Sequence, residues 1–125
     1  MKIRLQNGLP YVTVKVIYHD CCLELHDVLL DTGSAGTIFS IDKLLDIGLE
    51  YAPDDAVHRI HGVGGTEFVF SKTVERLTVG DIRAEDFEIE VGAMNYGFAM
   101  DGIIGVDFLL HVGAIIDLAT MEVHL

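Results

Sequence analysis

Short apolar runs separated by Gly, Asn and Asp make up most of this sequence, and several of them alternate between apolar and polar positions. The run at 11–18 (Y-V-T-V-K-V-I-Y) is the clearest, because it alternates and is rich in the β-branched and aromatic residues that favour strands. Weaker versions, each bounded by turn residues, occupy 2–6, 23–30, 57–70, 74–79 and 87–91. This pattern predicts an all-β domain of short strands and hairpins.

Two stretches depart from the strand pattern. Residues 40–47 predict one or two helical turns, with Ser40 as a candidate N-cap and Gly48 as the stop. Residues 103–111 begin apolar and are expected to bend into a short helix after Gly105.

The last residues, 115–116 and 122–125, again carry a strand pattern, and a terminal strand usually pairs with another segment. The sequence holds no low-complexity segment, proline-rich linker or fixed-period repeat. We therefore expect a single domain spanning residues 1–125, which is long enough to bury a core.

The charge of the chain excludes two classes of partner. The formal net charge is −12, from 20 acidic and 8 basic residues, and the basic residues form no cluster. Such a surface repels phosphate backbones and anionic lipids, so neither nucleic acid nor a membrane is an expected partner. Half of the residues are hydrophobic and the mean hydropathy is +0.41, which fits either a dense core or an apolar surface covered by a partner chain.

The two cysteines are adjacent, at Cys21 and Cys22, and cannot form the disulfide framework of a secreted domain. The first six residues alternate like a strand and lack the continuous apolar segment of a signal peptide. The expected location is therefore the reducing cytoplasm.

A carboxylate stands directly after the apolar residues 28–30, in the sequence Asp31-Thr32-Gly33-Ser34. A carboxylate is costly to bury unless it is hydrogen-bonded or paired, and this loop supplies two hydroxyls, backbone N–H groups and a permissive glycine. The same four residues also fit an ordinary type I turn with Asp at its first position. On these four residues alone the ordinary turn is favoured, because D-T-G occurs by chance in many sequences.

A second motif, G-I-I-G at 102–105, lies about 70 residues downstream and is followed by V-D-F-L-L. Because Gly105 has no Cβ, two backbones can cross closely there. Between the two motifs, the glycine-rich sequence G-V-G-G at 62–65 predicts the mobile tip of a hairpin.

In this order, D-T-G-S at 31–34, G-V-G-G at 62–65 and G-I-I-G-V-D-F-L-L at 102–110 resemble the retropepsin-like aspartic proteases. That family includes the retroviral proteases and their single-domain cellular and bacterial relatives, and the resemblance covers nearly the whole sequence. It implies a closed-β acid protease fold, all-β with one short helix near the C-terminal third. It also implies an aspartic endopeptidase that needs no metal and no cofactor.

The resemblance assigns roles to residues of both motifs. Asp31 matches the catalytic aspartate, Thr32 the threonine whose hydroxyl grips the loop of the other subunit, and Gly33 the glycine that lines the substrate backbone. The segment that braces the catalytic loop corresponds to Ile103, Ile104 and Gly105.

The resemblance also implies a flap and pockets for substrate side chains. The flap tip corresponds to Gly62, Val63, Gly64 and Gly65, with Val63 as its apolar point. Apolar pockets are expected at Leu29, Val63 and Ile103. Asp101 would lie near such a pocket and favour a basic substrate residue, unless it simply occupies a surface turn.

The sequence departs from the retroviral pattern at two linked positions. Retroviral members often carry Asp two places after the loop glycine and Arg after the second motif's glycine, and these form an ion pair. Here the positions hold Ala35 and Val106, so both charges are absent together and the dimer must be held differently there. Ser34 replaces the retroviral alanine, and a hydroxyl bonded to the Asp31 carboxylate would favour its ionised form.

The reaction of these proteases needs two carboxylates that share a proton at close range. The sequence holds one D-[ST]-G, and the nearest imitation, Asp117-Leu118-Ala119, lacks the hydroxyl and the glycine. A homodimer with two copies of Asp31 at a two-fold axis would complete the site for a peptide or protein substrate. Two other interpretations stay open: a non-catalytic module that binds an extended peptide, and a dimerisation module on the same fold.

His58 and His61 form an H-x-x-H pair of the kind that can bind metal. Residues three apart on a strand point to opposite faces, so joint ligation is awkward. No metal site is expected.

Overall fold

The computed structural model describes residues 1–62, 65–94 and 100–125, and strands account for most of them. The strands are β1 (Arg4–Gln6), β2 (Leu9–Tyr18), β3 (Cys21–Leu30), β4 (Ile38–Ser40), β5 (Val57–Gly62), β6 (Gly65–Val79), β7 (Ile82–Gly92), β8 (Gly102–Ile104), β9 (Ile115–Asp117) and β10 (Glu122–His124). The helices are α1 (Ile41–Leu44), which continues as a 3₁₀ turn (Leu45–Ile47), and α2 (Val106–Val112). The predicted all-β class is confirmed.

Within these described ranges, six strands close into a ring. Their order is β2, β3, β8, β4, β7 and β6, and an additional pairing between β2 and β6 completes the circle. Most neighbours run antiparallel, but β3 runs parallel to β8 and β4 runs parallel to β7. β1 and β5 extend the sheet beyond the ring, and β9 pairs separately with β10. The closed-β architecture expected from the sequence is therefore present.

Alternation along β2 supplies one wall of the core. Val12, Val14 and Val16 are all fully buried, which is the period of two that a strand with one buried face requires. From α2, the buried ring of Phe108 packs edge-on against Phe87, with 5.6 Å between the ring centroids. This packing fixes α2 against β7, and so fixes the residues that lead into the helix.

The predicted helical segments are confirmed, with one change. The turns at 41–47 end at Gly48, whose φ of 74° is left-handed, and α2 begins directly after Gly105. In the described structure the Ser40 side chain makes no capping hydrogen bond, although its backbone occupies the N-cap position. Across the described ranges, no helix has the length and apolar character that crossing a membrane requires.

Some strand predictions were wrong or incomplete. Residues 74–79 are not a separate strand, because β6 runs unbroken over Gly65–Val79. β4 and β8 were not predicted, since three residues are too few to show alternation. The terminal strand pairs as expected. β10 pairs with β9, and the Val123 amide donates to the Met1 carbonyl at 2.8 Å.

Candidate active site

Asp31 follows the last residue of β3 and is half-buried. Its amide donates to the Ile104 carbonyl at 3.0 Å, which extends the parallel pairing of β3 with β8 by one step. The Gly33 amide donates to Asp31 Oδ1 at 2.9 Å, and the Ser34 amide donates to the Asp31 carbonyl at 3.2 Å. These bonds hold the residue in place at the end of a buried strand while leaving it partly exposed.

Gly105 crosses directly against the Asp31 loop, defined here as residues 31–37. A Cβ built on Gly105 would lie 2.3 Å from the Gly36 carbonyl oxygen and 2.8 Å from the Ser34 carbonyl oxygen. Beside it, the Val106 amide donates to the Ser34 carbonyl at 2.8 Å. The φ of Gly105 is an ordinary −95°, so the position needs glycine for space and not for conformation. The fold thus brings the two sequence motifs into direct contact.

The exposed part of the loop consists of Thr32, Gly33 and Ala35. Ser34 is half-buried, and its hydroxyl donates to the Gly36 carbonyl at 2.7 Å. The bond from this hydroxyl to the Asp31 carboxylate that the sequence suggested is therefore not the one formed. The Ser34 hydroxyl instead holds the backbone of the loop.

The predicted flap falls on the hairpin formed by β5 and β6. The two strands pair up to Gly62 and Gly65, which are partners at the end of the ladder. Val63 and Gly64 lie outside the described residues, and the predicted apolar point of the flap lies there with them.

Leu29 and Ile103, two of the predicted pocket residues, are partners in the β3–β8 pairing. They belong to a small apolar cluster that is distinct from the main core. The members that sequence reasoning missed are Tyr11, Ile38, Ile60, Met94 and Met100. Tyr11 is also a cross-strand partner of Leu29, so the register of the β2–β3 hairpin was the signal that could have identified it.

The Asp101 carboxylate has two partners within the fold. Its Oδ2 accepts a hydrogen bond from the Asp27 amide at 3.1 Å, and its Oδ1 lies 3.8 Å from Lys43 Nζ. Only 16% of its side chain is exposed. The carboxylate therefore joins β3, the start of β8 and α1, and a role in selecting basic substrate residues stays a prediction.

Two residues at the junction of the motifs were missed by sequence reasoning. The Thr37 hydroxyl donates to Asp107 Oδ1 at 2.7 Å. Asp107 is the one charged residue in the otherwise apolar stretch 103–110, which was the available signal. Nothing in the sequence distinguished Thr37 from other threonines.

His58, one of the two histidines considered as metal ligands, has another partner. His58 Nε2 lies 2.9 Å from Ser71 Oγ, which donates to Glu90 Oε2 at 3.2 Å; the side chain of His61 lies outside the described part. Cys21 and Cys22 are exposed free thiols. Among the described residues, no group of three or more His, Cys, Asp or Glu side chains is arranged to hold a metal ion.

A closed ring of strands that presents an Asp-Thr-Gly loop against a crossing glycine defines an aspartic protease type of domain. In agreement, the aspartyl protease family model matches residues 14–108, roughly three quarters of the chain, and the match includes both motifs. The chain therefore belongs to this retropepsin-like aspartyl protease family. No curated protein sequence matches the chain significantly.

Proposed function

We propose that this chain is an aspartic endopeptidase that hydrolyses peptide bonds as a homodimer, with one Asp31 from each copy. The observation that carries the proposal is the placement of Asp31. It is half-buried at the end of β3, and its amide is fixed to the Ile104 carbonyl at 3.0 Å. Its D-T-G-S loop also lies inside the family match. A carboxylate held in this way has a defined position and remains open to water and substrate.

The proposed chemistry uses two Asp31 carboxylates that share one proton, because like charges at close range cannot both ionise. The ionised carboxylate takes a proton from a water molecule, which attacks the carbonyl carbon of the scissile peptide. The protonated carboxyl group donates to the carbonyl oxygen, and a proton then passes to the leaving nitrogen. Water is the nucleophile, so no covalent bond forms between the enzyme and its substrate.

A second chain is needed because the sequence contains a single Asp-Thr-Gly. Thr32 and Ala35 are exposed on the same loop as Asp31, which leaves this part of the surface open to another copy. We propose an isologous two-fold dimer in which the two Asp31 loops meet at the axis.

The proposed substrate is an extended peptide or protein segment that pairs with strand backbone, as in β-augmentation. The apolar cluster that contains Leu29 and Ile103 supports a preference for apolar side chains near the scissile bond. The net charge of −12 disfavours acidic segments. The proposed location is the cytoplasm, where the exposed thiols of Cys21 and Cys22 stay reduced.

Subunit mixing with an Asp31→Asn chain tests the shared site. Wild-type and D31N chains are combined at constant total concentration, and peptide cleavage is measured after the subunits have exchanged. If each site needs two aspartates, activity falls as the square of the wild-type fraction, so an equal mixture keeps about a quarter of the activity. Independent sites would keep about half. Mixtures with Asp81→Asn, a change in an exposed turn, are the matched control and keep full activity.

Three results would contradict parts of the proposal. Cleavage by pure D31N protein removes Asp31 from the mechanism, and a strict monomer in sedimentation at high concentration removes the shared site. Peptide binding without cleavage at both acidic and neutral pH favours the non-catalytic binding module. Inhibition of cleavage by a pepstatin-like transition-state mimic is the result that the endopeptidase requires.

A further inference from the structure

Thr37 and Asp107 join the Asp31 loop to the helix that follows the second motif. Thr37 is fully buried at the end of the loop, and Asp107 is the second residue of α2. The Thr37 hydroxyl donates to Asp107 Oδ1 at 2.7 Å, and the Thr37 amide donates to Asp107 Oδ2 at 3.2 Å. Both carboxylate oxygens are therefore engaged by one residue that lies 70 positions earlier in the chain.

The Thr37 hydroxyl has a second partner, because it accepts a hydrogen bond from the Gly105 amide at 3.1 Å. The amide can only donate and a carboxylate can only accept, whereas a hydroxyl does both. A buried polar group that loses its partner is costly, so the three groups depend on one another. Valine, which has nearly the shape of threonine, satisfies neither neighbour.

The residues on either side of Gly105 are bonded to the Asp31 loop as well. One bond runs from the Asp31 amide to the Ile104 carbonyl at 3.0 Å, and another from the Val106 amide to the Ser34 carbonyl at 2.8 Å. All three residues of the segment 104–106 are thus bonded to the loop. The threonine–aspartate pair described above continues this series into α2.

The Asp107 carboxylate is held by hydrogen bonds and not by a cation. In addition to the two bonds from Thr37, its Oδ1 accepts the Phe108 amide at 2.8 Å. The ion pairs found among the described residues all involve other carboxylates. The pair joins the same two segments in which Ala35 and Val106 provide no charges. Hydrogen bonds from a buried threonine perform the joining in this chain.

We propose that Thr37 and Asp107 are positioning residues, which set the orientation of Asp31 by fixing its loop against residues 104–106. The effect of these two residues on kcat rests on the proposed endopeptidase function. Without the hydroxyl, the loop shifts and the Asp31 carboxylate moves relative to its twin and to the attacking water. A misplacement of about 1 Å can lower a rate by about 100-fold. Substrate binding is not part of this link, so KM stays nearly constant.

Two substitutions at Thr37 separate the hydroxyl from the shape of the side chain. Thr37→Val removes the hydroxyl, whereas Thr37→Ser keeps it. For each variant, kcat and KM are measured together with the hydrogen exchange of the Asp31 and Val106 amides. We expect T37V to lower kcat about 10- to 100-fold, to change KM less than about twofold, and to speed exchange at these two amides. T37S behaves like the wild type, and so does Thr73→Val, the matched control at an exposed strand position.

Several outcomes would overturn the inference. In one, T37V leaves both kcat and the exchange of the two amides unchanged. In another, exchange speeds up equally along β6 and β7 while kcat per titrated active site stays normal, which shows only a general loss of stability. Should T37V not fold, kcat, KM and the exchange of the same two amides are measured for Asp107→Asn instead. This variant keeps the size of the side chain but turns an NH₂ group towards Thr37.

The inference and the proposed function can fail separately. A wild-type protein that cleaves no peptide under any condition refutes the proposed function. The exchange rate of the Asp31 amide then decides the inference alone: faster exchange in T37V, restored in T37S, supports it, and equal rates refute it.

Discussion

Gly105 and Gly36 meet backbone to backbone, and the space around the two glycines is unequal. A Cβ on Gly105 would lie 2.3 Å from the Gly36 carbonyl oxygen, whereas a Cβ on Gly36 would meet only Glu90 Cγ, at 3.7 Å. The first distance is a severe clash with backbone and the second is ordinary van der Waals contact. Adjoining positions with the same residue type should therefore tolerate alanine very differently.

We expect Gly105→Ala to lower the free energy of unfolding by about 3 kcal/mol or more, because the loop backbone cannot move aside as a flexible side chain can. Gly36→Ala should change it by less than about 1 kcal/mol. Urea denaturation of both variants gives the comparison. Equal stability of the two would contradict the close crossing at Gly105.

Asp101 gives a second pair of matched variants. Asp101→Ala removes the acceptor of the half-buried Asp27 amide, which stands at 3.1 Å in the wild type, and a hydrogen bond to a charged group contributes about 1.5–3 kcal/mol. Lys43→Ala removes only a cation that is 3.8 Å away and about half exposed, so it should cost less than about 1 kcal/mol. A larger loss of stability in K43A than in D101A, measured by denaturation, would mean that the ion pair and not the amide bond matters.

The Asp55–Lys72 pair should make stability depend on pH. The two charged groups are 2.8 Å apart, and both side chains are only 14% exposed. The hydrogen bond from Lys72 lowers the pKa of Asp55 below its ordinary value of 3.8, and the same bond raises the pKa of Lys72 above 10.5. A carboxyl group whose pKa is lower in the folded state stabilises the fold at pH values above its pKa in the unfolded chain. This stabilisation is lost as the pH falls through the pKa of the folded state. For the lysine, the contribution is complete below 10.5 and disappears as pH rises through its folded pKa.

Asp55→Asn should therefore have a lower Tm than the wild type at neutral pH, and the difference should shrink as pH falls below about 4. Thermal unfolding followed from neutral to acidic pH measures the gap. Asp81→Asn, a change in an exposed turn, is the control and should follow the wild-type curve. A gap that stays constant down to acidic pH would show that the Asp55 carboxylate is not the stabilising group.

The two loop motifs could be recognised in the sequence because each has an unusual local composition. Asp31 places a charge after an apolar run, and two glycines enclose Ile103 and Ile104. The ring that joins these motifs could not be predicted in the same way, since β4 and β8 have only three residues each. Pairings between segments distant in the chain leave no periodic signal in a short strand.

Hydrogen-bond partners within the site were the least predictable part. The Ser34 hydroxyl binds the Gly36 carbonyl two residues away, and that choice depends on the backbone direction of the loop, which residue types do not specify. The partner of Asp101 could not be predicted for a related reason. Its partner is the Asp27 amide, 74 positions earlier in the chain, so only the folded pairing of β3 with β8 brings the two together.

The bond from Thr37 to Asp107 spans 70 positions, and the bond from the Asp31 amide to the Ile104 carbonyl spans a similar length of chain. Contacts between segments so distant in the chain form late in folding. In a nascent or partly unfolded chain, residues 102–107 have not yet docked, so the D-T-G-S loop is not held in its folded conformation. Under the proposed function, the chain therefore cannot hydrolyse peptide bonds until it has folded. Immature copies stay harmless to the proteins around them.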